Sequence, residues 1–203
     1  MSFAVTHLIG FGGKRAAASE QNVTWNPSDK NSNVSLSNSD LTAGSSSAAF
    51  GSVRATLGRS SGKYYFEILC TTFGSTRTGL GDGSFSLSTY VGNSAKSAGH
   101  VNGANTNNGF TLDQAGTISL ANGDVLGFAV DGGAGKAWVS KNNVWQLSGD
   151  PAAGTSQWIS WTPPITIYPA TSVYETNVSF TLRTKTSQIS GSVPSGFSVW
   201  AAA

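Results

Sequence analysis

The stretch from Gly123 to Trp145 constrains the fold of this chain most strongly, because its residues follow the pattern of a β-hairpin. In GDVLGFAVD, residues 123–131, successive side chains are predicted to point to opposite faces of a strand. The segment GGAG at 132–135 permits the positive φ angles of a tight reversal, and an extended pattern resumes around Trp138. We therefore predict two antiparallel strands joined by a glycine-rich turn.

The composition suits one β-rich domain. The 203 residues are enough to bury a full core, yet only 11% of them are charged and 25 are glycine. Ser, Thr and Asn supply most of the polar surface, and these residues favour strand faces and turns over helix interiors. No segment combines helical periodicity with good helix formers, so we expect almost no helix.

Charge and cysteine content exclude several classes of protein. A net charge of +2 is too small for the clustered basic surface that binds nucleic acid. Cys70 is the sole cysteine and lies in an apolar, strand-like run, so a buried, inert thiol is predicted.

The N-terminus has no apolar signal-peptide core, and no run is long enough to span a membrane. We expect synthesis and folding in a cytoplasm.

Strand patterns continue through most of the chain. YYFEILC, residues 64–70, is the strongest β-forming run and is predicted to be a central strand. Residues 79–116 and 148–164 are rich in turn-forming residues and are predicted to be mostly loop. The absence of strand–helix alternation favours two packed antiparallel sheets. The other predicted strands are residues 23–25, 34–36, 50–57, 165–170, 177–182 and 196–200.

Several ordered motifs resemble those of the SPRY family. They are the opening TWN at 24–26, SGKYYFE at 61–67, the hairpin, YPA at 168–170, and PSGF at 194–197 followed by Trp200. The resemblance covers about residues 22–200. It implies an all-β fold, an antiparallel two-sheet sandwich of the concanavalin-like jelly-roll type, with an N-terminal arm or leader at 1–21 and the sandwich domain at 22–203. Members of this family mostly bind partners, so we expect no enzymatic activity and no cofactor.

Three further features are similar to bacterial and bacteriophage SPRY proteins. They are the glycine-rich leader, GDPAAG at 149–154 and the terminal GFSVW at 196–200. This similarity implies a structural, decoration or adhesion protein of a virion, such as a tail or fibre component. The expected partners are other virion proteins, further copies of the chain, and a glycan or protein of the host surface. The expected location is the virion, after synthesis in the host cytoplasm.

The leader has two interpretations. It is either a flexible leader or edge strand, or an arm that contacts another subunit. The residues expected to make such subunit contacts are Leu8, Ile9, Phe11, Lys14 and Arg15.

The resemblance also implies a binding face on the loops beside the sandwich. In animal SPRY proteins, peptides dock on an opening loop, a tyrosine-bearing middle loop and a late loop. The matching positions here are Lys30, Tyr90 and the turn at Tyr174 and Glu175. Two departures separate this chain from the animal pattern: SAG at 97–99 stands where the family has Ser-Trp-Gly, and the late loop lacks its tryptophan.

Tryptophans in the long connection offer a different site. Trp158 and Trp161 are candidates for stacking against sugar rings, and Trp145 invites the same interpretation. The alternative is that they pack within the core, as most sandwich tryptophans do. Carbohydrate binding is therefore the second hypothesis for function.

Enzymatic chemistry finds little support in the sequence. A triad could use His100 with Asp82 or Asp113, but no nucleophile-elbow motif is present. A glycosidase would need paired carboxylates, and Glu67 is more simply a hydrogen-bonded strand residue. The aspartates beside glycines are explained by turns, so we expect no catalytic residue and no metal site. These aspartates are Asp82, Asp124 and Asp131.

Overall fold

The computed structural model describes residues 19–94, 96–101, 104–116 and 118–202, and within these ranges it contains strands and no helix. No helix in the described part of the chain could therefore cross a membrane. The predicted contact residues of the leader, Leu8, Ile9, Phe11, Lys14 and Arg15, lie outside the described residues. The strands are β1 (Trp25–Lys30), β2 (Val34–Ser37), β3 (Thr42–Ser45), β4 (Gly51–Ala55), β5 (Lys63–Thr72), β6 (Thr76–Asp82), β7 (Ser97–Val101), β8 (Ala104–Asn108), β9 (Thr111–Leu112), β10 (Val125–Asp131), β11 (Lys136–Lys141), β12 (Val144–Trp145), β13 (Ile159–Ser160), β14 (Ile167–Val173), β15 (Ser179–Arg183) and β16 (Ser198–Val199).

These strands form two sheets. The smaller sheet has six strands in the order β1-β4-β14-β6-β7-β8. The larger sheet has ten strands, with the path β2-β3-β15-β5-β10-β11-β13-β9, while β12 pairs with β11 and β16 with β5. All pairs are antiparallel except β16 with β5. The predicted antiparallel two-sheet sandwich is confirmed.

The predicted hairpin is present as β10 and β11. Asp131 pairs with Lys136, which leaves residues 132–135 as the turn. Of the turn glycines only Gly135 has a positive φ, 65°, and the Asp131 carboxylate closes the turn by accepting a 2.8 Å hydrogen bond from the Ala134 N–H. On its other side β10 pairs with β5, which lies in the interior of the sheet as predicted.

The core lies between the two sheets and is rich in aromatic rings. Phe66 of β5 stacks on Phe128 of β10 with ring centroids 5.1 Å apart, and Trp200 packs edge-on against Phe66 at 5.3 Å. These rings and Trp25 are almost completely buried. Burial of so much apolar surface is the main force that holds the sheets together.

The larger sheet is buried on its outer face as well. Tyr65 and Trp138 lie there beneath Trp145 and the C-terminal segment 185–197. This second apolar layer explains why residues 125–130 are small or apolar on both faces, where a half-exposed strand would alternate with polar residues.

The region 79–116 is more ordered than the sequence indicates. It contains the end of β6 and all of β7, β8 and β9, which the sequence did not locate. More of its described residues lie outside strands than within them, in agreement with the prediction of mostly loop. The glycines that suggested turns lie within strands because neighbours approach them closely: a Cβ at Gly79 would collide with the Ala98 carbonyl, and one at Gly81 with the Phe85 ring.

Candidate functional site

Three aromatic rings and one arginine meet at one end of the smaller sheet. Phe50 precedes β4 and Tyr174 follows β14, and the pairing of Gly51 with Val173 sets the two side by side. The Phe50 ring lies 4.7 Å from that of Tyr174 and 5.1 Å from that of Tyr90. We call Phe50, Arg77, Tyr90 and Tyr174 the aromatic surface.

Arg77 supplies positive charge to this surface. It lies on β6 opposite Ser172 of β14. Its guanidinium carbon is 4.6 Å from the Tyr90 ring centroid and 5.8 Å from that of Phe50, within cation–π range of both. Burial among these groups lowers the pKa of Arg77, but an arginine remains a cation at neutral pH. The charge therefore helps to hold the tyrosine ring in place.

The loop that carries Tyr90 is fixed to the outer face of the smaller sheet. Phe85 and Val91 are buried there against Ala170. The guanidinium of Arg54 binds both carboxylate oxygens of Asp29 at 2.7 Å and donates a 2.9 Å hydrogen bond to the Phe85 carbonyl. These contacts hold the loop that carries Tyr90 in a fixed position on the sheet.

The same loop is also bonded along its backbone. The Ser52 N–H donates to the Leu87 carbonyl at 3.0 Å, and the Ser52 hydroxyl donates to the Thr89 carbonyl. On the other side of Tyr90, the Val91 N–H donates to the Ser172 hydroxyl at 3.3 Å. Residues on both sides of Tyr90 are therefore tied to β4 and β14.

The outer part of the aromatic surface is open to solvent. Tyr174 is 36% exposed and is one of three large hydrophobic residues that are exposed in the described part of the chain. Glu175 beside it is exposed and accepts a 2.7 Å hydrogen bond from the Ser75 hydroxyl. The site therefore offers aromatic faces flanked by a cation and a carboxylate, a combination suited to anchoring a partner.

The structure brings together most of the loop residues predicted from the sequence. Tyr90 and Tyr174 both pack against Phe50, and Glu175 follows Tyr174 in the chain. The Lys30 ammonium does not join the cluster of rings but donates a 2.7 Å hydrogen bond to the Val34 carbonyl. Sequence reasoning missed Phe50 and Arg77, since their role depends on strand pairing that no local motif reports.

The tryptophans of the long connection do not form a sugar-stacking surface. Trp158 is 1% exposed and Trp161 is 8% exposed, so the stacking interpretation is wrong for both and the packing alternative is correct. The short strand β13 lies between them and pairs with β11, which draws the connection onto the sandwich. Trp158 then packs 4.3 Å from the His100 ring, and Trp161 packs 5.5 Å from Phe110.

Glu67 fixes the C-terminal segment to the larger sheet. It is 1% exposed, and its carboxylate accepts hydrogen bonds from the backbone N–H groups of Ser190 at 2.9 Å and Gly191 at 2.8 Å. The Tyr65 hydroxyl also donates to it at 3.1 Å. Burial and the nearby Glu67 charge raise the pKa of Tyr65, which keeps this phenol protonated as a donor.

The remaining candidates for chemistry are also structural. His100, considered for a triad, has no exposed surface. Asp82 accepts a 2.8 Å hydrogen bond from the Ser84 N–H, and Asp124 accepts one of 2.8 Å from the Ala121 N–H, so both close turns as Asp131 does. Among the described residues, no group of three or more potential ligands could hold a metal ion.

A separate open cavity of about 340 Å³ lies where the two ends of the described chain meet. Gln21 and Ala202 pair beside it, and Arg59 and Tyr64 line it with the guanidinium carbon 4.2 Å from the ring centroid. The Arg59 guanidinium also donates to the Ala201 carbonyl at 2.6 Å. The pairing fixes the point at which the leader joins the sandwich.

Comparisons with known proteins identify the fold. No family model and no curated protein sequence matches the chain. Among solved structures, the SPRY domain of human HERC1 matches with a TM-score of 0.59 and 16% identity, covering 78% of this chain and 96% of that domain. The PSpry domain of TRIM65 matches with a TM-score of 0.56 and 16% identity, covering 81% and 93%. The chain therefore has the two-sheet sandwich fold of SPRY domains.

Proposed function

We propose that this chain is a non-enzymatic binding module of a bacteriophage particle. In this proposal the leader at 1–21 contacts neighbouring virion proteins, and the sandwich presents the aromatic surface to a protein of the host cell surface. The observation that carries the binding role is the cluster of Phe50, Tyr90 and Tyr174, in which the Arg77 guanidinium packs against the Tyr90 and Phe50 rings. The place in a virion is supported by the resemblance of the leader, GDPAAG at 149–154 and GFSVW at 196–200 to bacterial and phage SPRY sequences.

The chemistry of the surface favours binding over catalysis. Tyrosine and arginine are the residues most often found at the energetic centres of protein interfaces. The acid and base that a hydrolase would need are sequestered, since Glu67 lies beneath the C-terminal segment and His100 lies in the interior. Neither side chain could touch a substrate at the aromatic surface without unfolding of its surroundings.

The binding role is tested by competition. Purified chain should inhibit adsorption of the intact phage to its host cells, and Tyr90→Ala or Tyr174→Ala should weaken inhibition by about tenfold or more, as loss of an interface anchor does. Val144→Ala is the matched control, because Val144 is 64% exposed and lies outside the aromatic surface. Equal inhibition by all four proteins would refute the proposed surface.

The virion role has its own test. Mass spectrometry of gradient-purified particles should detect the chain as a stoichiometric component, and antibodies against it should label the particles in electron micrographs. Absence of the chain from purified particles would refute a role in the virion while leaving the binding surface to be judged by competition.

Carbohydrate binding remains the second candidate, now at the aromatic surface in place of Trp158 and Trp161. The exposed Tyr174 ring, which packs against Phe50, offers a face on which a sugar could stack. The two ligands are distinguished by treating host cells before the binding assay. Protease treatment should abolish binding if the ligand is a protein, whereas periodate oxidation should abolish it if the ligand is a glycan.

A further inference from the structure

Of the four strands that end the two sheet paths, three are protected against pairing with another strand. The edge strand β1 contains Pro27 and an irregular register. At the edge strand β2, both outward backbone groups of Val34 are already bonded. The Val34 carbonyl accepts a 2.7 Å hydrogen bond from the Lys30 ammonium, and the Val34 N–H donates a 3.1 Å hydrogen bond to the Asn31 carbonyl. The edge strand β9 is only two residues long and is followed by the charged Asp113.

The fourth edge, β8, has none of these protections. Its sequence, Ala-Asn-Thr-Asn-Asn, extends over five residues without proline or charge. Natural sheets usually carry proline, charge or an irregular register on exposed edges, because an unprotected edge can pair with a strand of another chain. The difference sets β8 apart from the other three edges.

In an antiparallel sheet, successive residues of a strand bond alternately to the neighbour on one side and on the other. This alternation shows which backbone groups of β8 point away from β7. The bond from Asp82 N–H to the Lys96 carbonyl fixes which residues of β7 bond to β6. The alternate residues of β7 bond to β8, and Thr106 is one of their partners. The backbone N–H and C=O groups of Asn105 and Asn107 therefore point away from β7. Among the backbone bonds of the described residues, none reaches β8 from that side.

We propose that β8 pairs with β8 of a second copy of this chain. The two strands run antiparallel about a two-fold axis at Thr106, with Asn105 of each copy opposite Asn107 of the other. Each of these pairs exchanges N–H to C=O bonds in both directions, so all the outward backbone groups of Asn105 and Asn107 are used. The six-stranded sheets of the two copies then become one continuous sheet.

Several observations favour a second copy as the occupant. An antiparallel edge is complementary to itself under a two-fold axis, so one surface serves both partners. The strand carries no charge, and the net charge of the chain is only +2, so identical edges do not repel each other strongly. The proposed interface shares no residue with the aromatic surface, although the Thr106 hydroxyl donates a 2.8 Å hydrogen bond to the carbonyl of Val91, next to Tyr90.

The test is the concentration dependence of mass and of amide exchange in the full chain. Sedimentation should show a reversible equilibrium between the 20.9 kDa monomer and a species of about twice that mass. Amides of Asn105 and Asn107 should gain protection from hydrogen exchange as concentration rises. The Thr106 amide, which faces β7, should be protected at every concentration.

Two variants isolate the backbone donor. Asn107→Pro removes the outward N–H without removing a bond to β7, and should abolish the dimer. Asn107→Ala removes the same side chain but keeps the N–H, and should retain the dimer. The proposal is overturned if the unaltered chain stays monomeric and its Asn105 and Asn107 amides exchange at every concentration. It is also overturned if Asn107→Pro still dimerises, or if both variants lose the dimer equally. If Asn107→Pro fails to fold, the exchange pattern of the unaltered chain decides.

Discussion

At the scale of single residues, buried groups that titrate are held in one protonation state by their surroundings. Cys70 is an example, because burial and the nearby Asp124 carboxylate raise the pKa of its thiol to about 11. The thiolate is the reactive form of cysteine, and it is scarce here at neutral pH. Cys70 is the sole cysteine, so any labelling of the chain by a thiol reagent reports on this site.

We expect Cys70 to resist alkylation by iodoacetamide in the folded chain and to react rapidly in denaturant. Mass spectrometry of the native protein at neutral pH should therefore show almost no adduct, and the denatured protein is the positive control. Rapid modification without unfolding would contradict the burial of this side chain between the sheets.

Asp124 shows the opposite shift. Burial alone would raise the pKa of its carboxyl group, but hydrogen bonds from Lys141, Asn142 and the Ala121 N–H outweigh burial and lower it. A carboxyl group with a lowered pKa in the folded state stabilises the fold above its unfolded pKa. That contribution is lost as the pH falls through the folded pKa.

Asp124→Asn should therefore destabilise the chain at about pH 7, and the difference from the unaltered chain should shrink as the pH falls below about 4. Urea unfolding at both ends of this range measures the difference. Asp113→Asn, a change at an exposed carboxylate, is the control and should have little effect. A difference for Asp124→Asn that grows on acidification would contradict the assigned hydrogen bonds.

At the scale of elements, buried ionic groups attach irregular segments to the sheets. Arg54 does this for the loop that presents Tyr90, through Asp29 and the Phe85 carbonyl. Arg54→Met keeps the apolar stem but removes the donors, and should lower the free energy of unfolding by about 2–3 kcal/mol. Hydrogen exchange should increase at Val91 and Gly92, whose N–H groups are bonded when the loop is in place. Unchanged exchange there would show that Arg54 does not hold the loop.

Glu67 plays the same role for the C-terminal segment. Glu67→Gln replaces one acceptor oxygen with a donor that faces the N–H groups of Ser190 and Gly191. The cost should be about 1–3 kcal/mol, with faster exchange confined at first to the C-terminal segment. Glu175→Gln at an exposed position is the control. A variant as stable as the unaltered chain would refute the anchoring role.

Elements with a strong local pattern could be predicted from the sequence. The β10–β11 hairpin and β5 followed directly from alternation and β-forming residues. β6 did not, because Gly79 and Gly81 are typical of turns, and only contact with Ala98 and Phe85 explains glycine within that strand. The sequence shows that these residues are glycine, but whether a glycine forms a turn or makes room for a neighbouring group depends on tertiary packing.

At the scale of the whole molecule, the site depends on pairings between distant parts of the chain. Phe50 and Tyr174 become neighbours only because Gly51 pairs with Val173. Tyr90 joins them because its loop folds back over the sheet. The resemblance to SPRY binding loops indicated Tyr90 and Tyr174, but no local pattern predicts that both contact Phe50. The same reasoning applies to Trp158, whose burial follows from the pairing of β13 with β11 and could not be read from an apparently loop-like segment.

We propose above that this chain is part of a virion and binds the host through its aromatic surface. Hydroxyl-radical footprinting of purified particles, alone and after adsorption to host envelopes, tests it most directly. We predict that Tyr90 and Tyr174 are oxidised in free particles and protected after adsorption, while Val144, 64% exposed, reacts equally in both. Absence of the chain from the particles, or equal oxidation of both tyrosines before and after adsorption, would contradict the claim.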